Sequence, residues 1–127
     1  MTFKIEIKGL EEVKKFLKNA SKEKIEKADN GVKQAGFFIQ SEVQASISHQ
    51  RAEPLSVDTG RFLGSVKAMF PQKLVATVET NVEYAKFLER GTKNIDGTTK
   101  MEARHHFRNS ADRNKIKVKE FIANSIK

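Results

Sequence analysis

The sequence contains no cysteine. That excludes a disulfide scaffold, a thiolate zinc site and a cysteine nucleophile, and it fits a reducing compartment. Long apolar runs are also missing: nothing approaches the roughly 18 consecutive apolar residues of a membrane helix. The opening residues, MTFKIEIKGLEEVKK, alternate and then turn charged. They lack the apolar core of a signal peptide, so no export is expected. The signatures of catalysis are absent as well. There is no His-Glu-x-x-His and no other His pair at i,i+4; Ser65 follows Gly64 without a Gly-x-Ser-x-Gly elbow; residues 60–64 lack the Gly-Lys-Ser/Thr end of a phosphate loop. His105 and His106 are adjacent, so on a helix they diverge by about 100° and do not face one metal. His49 lies far away in sequence. Glu83 and Glu89 are six residues apart and are not helical neighbours. No metal, no cofactor and no enzymatic activity are expected. Among nucleic-acid signatures, the chain lacks an aromatic stacking platform, a helix-turn-helix and a zinc finger.

What is present is charge. The 127 residues carry 24 Lys and Arg against 16 Asp and Glu, a net charge of +8. A chain of this size forms one domain, expected over 1–127, and buries about two-thirds of its surface on folding. Hydrophobic content of 38% with nine Phe suffices for a core. The charge is uneven. Residues 1–50 hold nine basic and seven acidic groups, residues 51–90 six and five, and residues 91–127 nine and four. The excess sits in the last third, at Lys93, Lys100, Arg104, Arg108, Arg113, Lys115, Lys117, Lys119 and Lys127. It reads as a contact for phosphate or an acidic protein surface, with Lys115, Lys117 and Lys119 as candidate polyanion contacts. It also reads as a solvated helix face.

Phe3, Ile5 and Ile7 alternate with Lys4, Glu6 and Lys8, the period of a half-buried strand over 2–8. After Gly9, Leu10, Val13, Phe16 and Leu17 follow helical spacing. Ser21 is a fair N-cap, and Ile25, Ala28, Val32, Ala35, Ile39, Val43 and Ile47 then recur every three or four residues. No proline intervenes, so a long helix is predicted over about 21–49. Gly31 and Gly36 inside it mark close packing or a bend. Residues 50–60 read as a loop. Residues 61–70 and 74–80 read as two strands joined through Phe70-Pro71-Gln72-Lys73. Tyr84, Phe87 and Leu88 fit a short helix ended by Gly91, and residues 92–102 a polar loop. From about Ala103 the spacing is helical, although Lys115 to Lys119 alternate locally. The order predicts an α+β fold: a small antiparallel sheet packed against one long helix and a C-terminal helix.

Three stretches carry a resemblance. Val57-Asp58-Thr59-Gly60-Arg61-Phe62-Leu63-Gly64-Ser65-Val66 resembles a "VDTGRLRxSI" signature. Residues 81–92, from Asn81 through Tyr84, Ala85, Glu89 and Gly91 to Thr92, resemble "NxxYAxxxExGT". Residues 101–111, from Met101 through Ala103, Arg104 and Arg108 to Ala111, resemble "MxARPFLRPA", with Glu102, His105 and Asn109 around the places of the missing prolines. In this order and spacing, the three are similar to the small tail-completion, or head–tail joining, proteins at the neck of long-tailed bacteriophages and prophages. The resemblance implies a structural virion-assembly protein without catalysis, acting as an oligomeric ring. It implies neck and tail partners, the tail tube or head connector, with no membrane and with nucleic acid not required. It places the protein at the virion neck or tail end, and in the host bacterial cytoplasm during assembly. The motif residues Asp58, Thr59, Gly60, Arg61, Tyr84, Glu89, Gly91, Thr92, Arg104 and Arg108 either hold the monomer together or line subunit contacts. Glu89 and Arg104 are placed to pair across the 92–102 loop, and Arg61 to pair with Asp58 or a neighbouring subunit. The exposed strands 2–8 or 74–80 and the loops 50–60 and 92–102 are the expected contact surfaces. The alternative is a basic nucleic-acid-binding module that uses the C-terminal helix.

Overall fold

A computed structural model describes residues 3–8, 21–57 and 60–126 of the chain. The helix expected around Leu10 to Leu17, and the residues Asp58, Thr59 and Lys127, lie outside these residues. The described elements run β1 (Phe3–Lys8), α1 (Lys22–Ile47), α2 (Arg61–Ser65), β2 (Lys67–Gln72), β3 (Val75–Thr80), α3 (Ala85–Arg90), β4 (Thr92–Lys93), β5 (Thr99–Met101), α4 (His106–Arg113) and α5 (Lys115–Ser125). This is the α+β arrangement expected, with a three-stranded antiparallel sheet, a long helix and a C-terminal helix packed together.

Helix α1 starts where its cap chemistry dictates. The Ser21 hydroxyl accepts the Lys24 backbone N–H at 3.3 Å, satisfying one of the free donors of the first turn. Its 26 residues span about 39 Å at 1.5 Å per residue. Ala28, Val32, Ala35, Ile39, Val43 and Ile47 are buried, the stripe that the spacing predicts. Strands β2 and β3 pack on α1, and so do helices α4 and α5. Both glycines of α1 mark close packing. A Cβ on Gly36 would lie 3.0 Å from the Ala76 Cβ and 3.2 Å from the Phe70 ring.

The sheet order is β1-β3-β2, all antiparallel. This corrects one expectation. The strand at 74–80 is central and paired on both sides, so it offers no edge to another subunit, whereas β1 is an edge. Residues 61–65 also differ from expectation: they form the short helix α2, not a strand. Gly60, at φ 82°, turns the chain into that helix, and the Gly64 N–H bonds the Gly60 carbonyl at 2.9 Å. Pro71 lies inside β2, next to a register shift between Met69 and Gln72, as suits a residue without an N–H on an edge strand. The turn itself falls at Lys73 and Leu74. There the Leu74 N–H donates to the Asp29 carboxylate at 2.8 Å and Lys73 pairs with Glu26. The hairpin is thus pinned to α1.

The polar loop 92–102 contains a second, small hairpin, β4–β5. The C-terminal segment is helical through Lys115 to Lys119 as expected, but it breaks into two helices at Asn114. There the Asn114 side chain donates to the Ser110 carbonyl at 2.9 Å. Helix α5 lies against α1, with the Phe38 and Phe121 rings 5.3 Å apart.

Gly31 of α1 lies against Phe121 and Ser125 of α5. Alanine there would gain about 1 kcal/mol of helix propensity. Its Cβ, however, would lie 2.3 Å from the Ser125 Oγ, 2.8 Å from the Ser125 Cβ and 3.0 Å from the Phe121 carbonyl oxygen. Gly31→Ala is expected to destabilise the fold by about 1–2 kcal/mol, because overpacking outweighs propensity. Urea unfolding measures it; a stabilised variant would show that α5 shifts freely.

Candidate interaction site

The three sequence motifs meet around one aromatic side chain. Phe62, from the first motif, is 3% exposed. Its ring meets Tyr84 of the second motif edge-on at 6.0 Å and His106 of the third at 6.1 Å. Below this cluster, Glu89 is 3% exposed. Its two carboxylate oxygens accept the backbone N–H groups of Phe107 and Arg108 at 2.9 and 3.0 Å, capping α4. The carboxylate thereby satisfies donors that the first turn of a helix leaves open and sits at its positive end. Backbone bonds from Arg104 to the Leu88 carbonyl and from His105 to the Glu89 carbonyl run beside it, at 2.8 and 3.3 Å.

Glu89 and Arg104 therefore have other partners than the expected ion pair. The Arg104 guanidinium donates to the Leu55 carbonyl at 2.9 Å and to the Ser56 hydroxyl at 2.8 Å. It joins the third motif to the loop before the first. That loop is tied down elsewhere too. Arg51 donates twice to Glu42 of α1, and the Ser56 N–H bonds the Ile47 carbonyl at 2.8 Å.

A buried relay lies under the loop. The Ser46 hydroxyl donates to Glu53 at 2.5 Å and meets His106 Nδ1 at 2.8 Å; His106 Nε2 meets the Ser56 hydroxyl at 2.7 Å. Because Ser46 gives its proton to Glu53, the partners assign the His106 proton to Nδ1, and Nε2 accepts from Ser56. Arg113 donates to both oxygens of Glu53 at 3.1 and 3.0 Å, and Asn109 adds a longer bond at 3.4 Å. Burial pushes the Glu53 carboxyl up, but the bonds from Arg113 and Ser46 and the Arg113 charge outweigh it and hold the group at about 2. Burial also lowers His106, to about 4; Glu53 raises it and Arg104 lowers it further. Among the described residues, every buried side-chain N or O atom has a partner.

Above this base opens a groove of about 560 Å³, lined by Leu55, Ser56, Val57, Arg61, Tyr84, Leu88 and Arg104. It brings together the motif residues Arg61, Tyr84 and Arg104. Tyr84 is 39% exposed, with its ring edge-on to Phe62. Gly91, at φ 77°, ends α3 as predicted. A Cβ there would lie 2.6 Å from the Met101 carbonyl oxygen and 2.8 Å from the Ala103 nitrogen, so only glycine lets the chain cross. Thr92 pairs with Met101 at the base of the β4–β5 hairpin. Arg108 lies outside the groove, exposed on α4 beside Asp112 at 3.9 Å. Lys115, Lys117 and Lys119 are all exposed on α5. The helix splits them: Lys115 and Lys119 share a face, while Lys117 lies about 160° away. Its ammonium sits 5.3 Å from the centre of the Phe38 ring.

Sequence spacing does not reveal that Ser46, Ser56, Asn109 and Arg113 gather around Glu53 and His106. They come from α1, the loop and α4, up to 60 positions apart, and no local pattern marks them. Among the described residues, no cluster of His, Asp and Glu is placed to hold a metal, and no helix is long and apolar enough to cross a membrane.

Removing the Glu89 carboxylate strands two backbone donors. Glu89→Ala is expected to cost about 2–4 kcal/mol in urea unfolding, and Glu89→Gln less, because it keeps an acceptor. A loss below half a kcal/mol for Glu89→Ala would show that water satisfies these donors. The relay also sets a pH dependence. His106 sits at about 4 against its usual 6.5, so the unfolded chain takes its proton first and stability falls as pH drops from 6.5 to 4. Glu53 sits at about 2 against 4.5, so its contribution is whole above pH 4.5 and is lost as pH falls towards 2. The urea midpoint should decline from pH 6.5 downwards and more steeply below 4.5, and His106→Asn should flatten the upper part of that curve. A midpoint constant between pH 6.5 and 4 would contradict this.

No curated protein and no solved structure gives a significant match to this chain. A family profile does match, over residues 11–91, described as "Bacteriophage HK97-gp10, putative tail-component". The match spans α1, the β2–β3 hairpin and α3, with the first motif and all of the second but Thr92, and it stops before the third motif and the basic helix. With the profile covering well over half of the sequence, the chain belongs to the HK97-gp10-like family of bacteriophage tail components.

Proposed function

We propose that this protein, as one domain over 1–127, completes or joins the phage tail at the head–tail neck, as an oligomeric ring and without catalysis. A structural phage tail role follows from the family. The observation that supports the finer reading is the groove. All three motifs converge on it, and its base is fixed by buried hydrogen bonds while its mouth stays open to solvent. A rigid base under an open apolar and cationic mouth suits docking of a protein surface, because little order is lost on binding. The Ser56 hydroxyl donates to His106 much as a hydrolase serine would. Arg104, however, also bonds this oxygen and anchors the loop, which favours positioning over nucleophilic attack. The partners on this reading are neck and tail proteins, the tail tube or the head connector, met in the host cytoplasm during assembly and retained at the virion neck.

Nucleic-acid binding by the C-terminal helix is the weaker reading, since α5 sends Lys117 away from Lys115 and Lys119. Light scattering of the purified protein, alone and mixed with its tail-tube or connector protein, tests the proposal. A ring-sized species, alone or with the partner, is the expected result. A strict monomer that binds neither protein would overturn it.

A further inference from the structure

The β4–β5 hairpin projects from the body: residues 93–100 are all exposed. At its tip Ile95 is 109% exposed, an apolar side chain with nothing of its own chain against it. The tip is nevertheless held in shape. The Asn94 N–H donates to the Thr98 carbonyl at 2.8 Å and the Gly97 N–H to the Asn94 carbonyl at 3.0 Å. Asp96 Oδ1 accepts the Thr98 N–H at 3.0 Å and the Thr98 hydroxyl at 2.6 Å. Both bonds fall on one carboxylate oxygen of an exposed residue. A built turn thus presents an isoleucine next to a carboxylate, and preorganisation of this kind lowers the cost of docking.

The groove is the complement of that tip. Leu55 is 54% exposed, Val57 37% and Tyr84 39%, and Leu88 completes the apolar lining. Arg61 and Arg104 supply positive charge, and among the described lining residues no side chain is acidic. The hairpin of the same chain springs from the groove's rim, between Gly91 and Arg104, yet leaves Ile95 in solvent. We propose that Ile95 and Asp96 at the hairpin tip of one copy dock in the groove of the next, Ile95 against Leu55, Val57 and Tyr84, and Asp96 towards Arg61 and Arg104. The contact is head-to-tail, the type that closes into rings. It rests on the ring reading above and names the surfaces that make the ring.

The absence of native cysteine gives a direct test in the full-length protein. Chains carrying Ile95→Cys are mixed with chains carrying Val57→Cys and oxidised. The mixture should form disulfide-linked dimers at least tenfold faster than either variant alone, and a chain carrying both substitutions should give a ladder of linked oligomers. Ile95→Asp, at a fully exposed site, should leave the melting temperature unchanged and weaken self-association at least tenfold. No cross-linking in the mixture, or equal linking of Ile95→Cys chains to one another, overturns the proposal. So does linking of the Val57→Cys chain to a tail-tube protein in preference to the Ile95→Cys chain, which would assign the groove to that protein. Rings that form without the cross-link and tolerate Ile95→Asp sink the docking while leaving the ring intact. Failure to find rings or cross-links in any mixture sinks both.

Discussion

A carboxylate that is 3% exposed must find donors inside the protein, and Glu89 finds two backbone N–H groups at the start of α4. Much of the site follows from that demand. With the N-terminus of α4 fixed against α3, the chain between them has to leave and return within a few ångströms. Gly91 allows the crossing, and the residues between become the projecting β4–β5 hairpin. On the return, Arg104 is delivered to the loop at Leu55 and Ser56, and His106 to the face of Phe62. Hydrogen bonds to a charged group are each worth about 1.5–3 kcal/mol. Two of them at one helix end are enough to hold a short helix that its own eight residues would not sustain.

Another buried carboxylate, Glu53, has the same role within the neighbouring loop. It gathers Ser46 of α1 with Asn109 and Arg113 of α4, so the loop after α1 is bound at both ends. His106 completes the circuit to Ser56. Burial keeps its ring from protonating until about pH 4, so at neutral pH it works as a neutral bridge with one donor and one acceptor. The positive charge lining the groove is thereby carried by Arg61 and Arg104.

The long helix was legible because burial repeats every three or four residues from Ala28 to Ile47, a pattern that periodicity reads directly. The central strand, the short helix before Gly91 and the motif order were legible for similar local reasons. The helix α2 was not. Val66, Ala68 and Phe70 alternate, and extending that alternation back across 61–65 suggests a strand, where Gly60 at positive φ starts a helical turn instead. Sheet order was also hidden. Periodicity shows that 74–80 is a strand, but which strands flank it depends on contacts some 70 residues apart. The Glu89–Arg104 pair failed for a further reason: opposite charges near a loop suggest attraction, whereas a helix start with open donors competes better for a buried carboxylate.

The charge excess takes on a different meaning through geometry. Read as a linear pattern, Lys115, Lys117 and Lys119 form one row. On α5 they divide between two faces, and Lys117 lies over Phe38. The cations that converge are Arg61 and Arg104, 43 positions apart, which meet in an apolar groove rather than on an open polar face. An open basic face would suit the regularly spaced phosphates of a nucleic acid. Two arginines flanking leucine, valine and tyrosine instead suit a protein segment with an apolar residue beside an acid, and the hairpin tip of this same chain carries that pair.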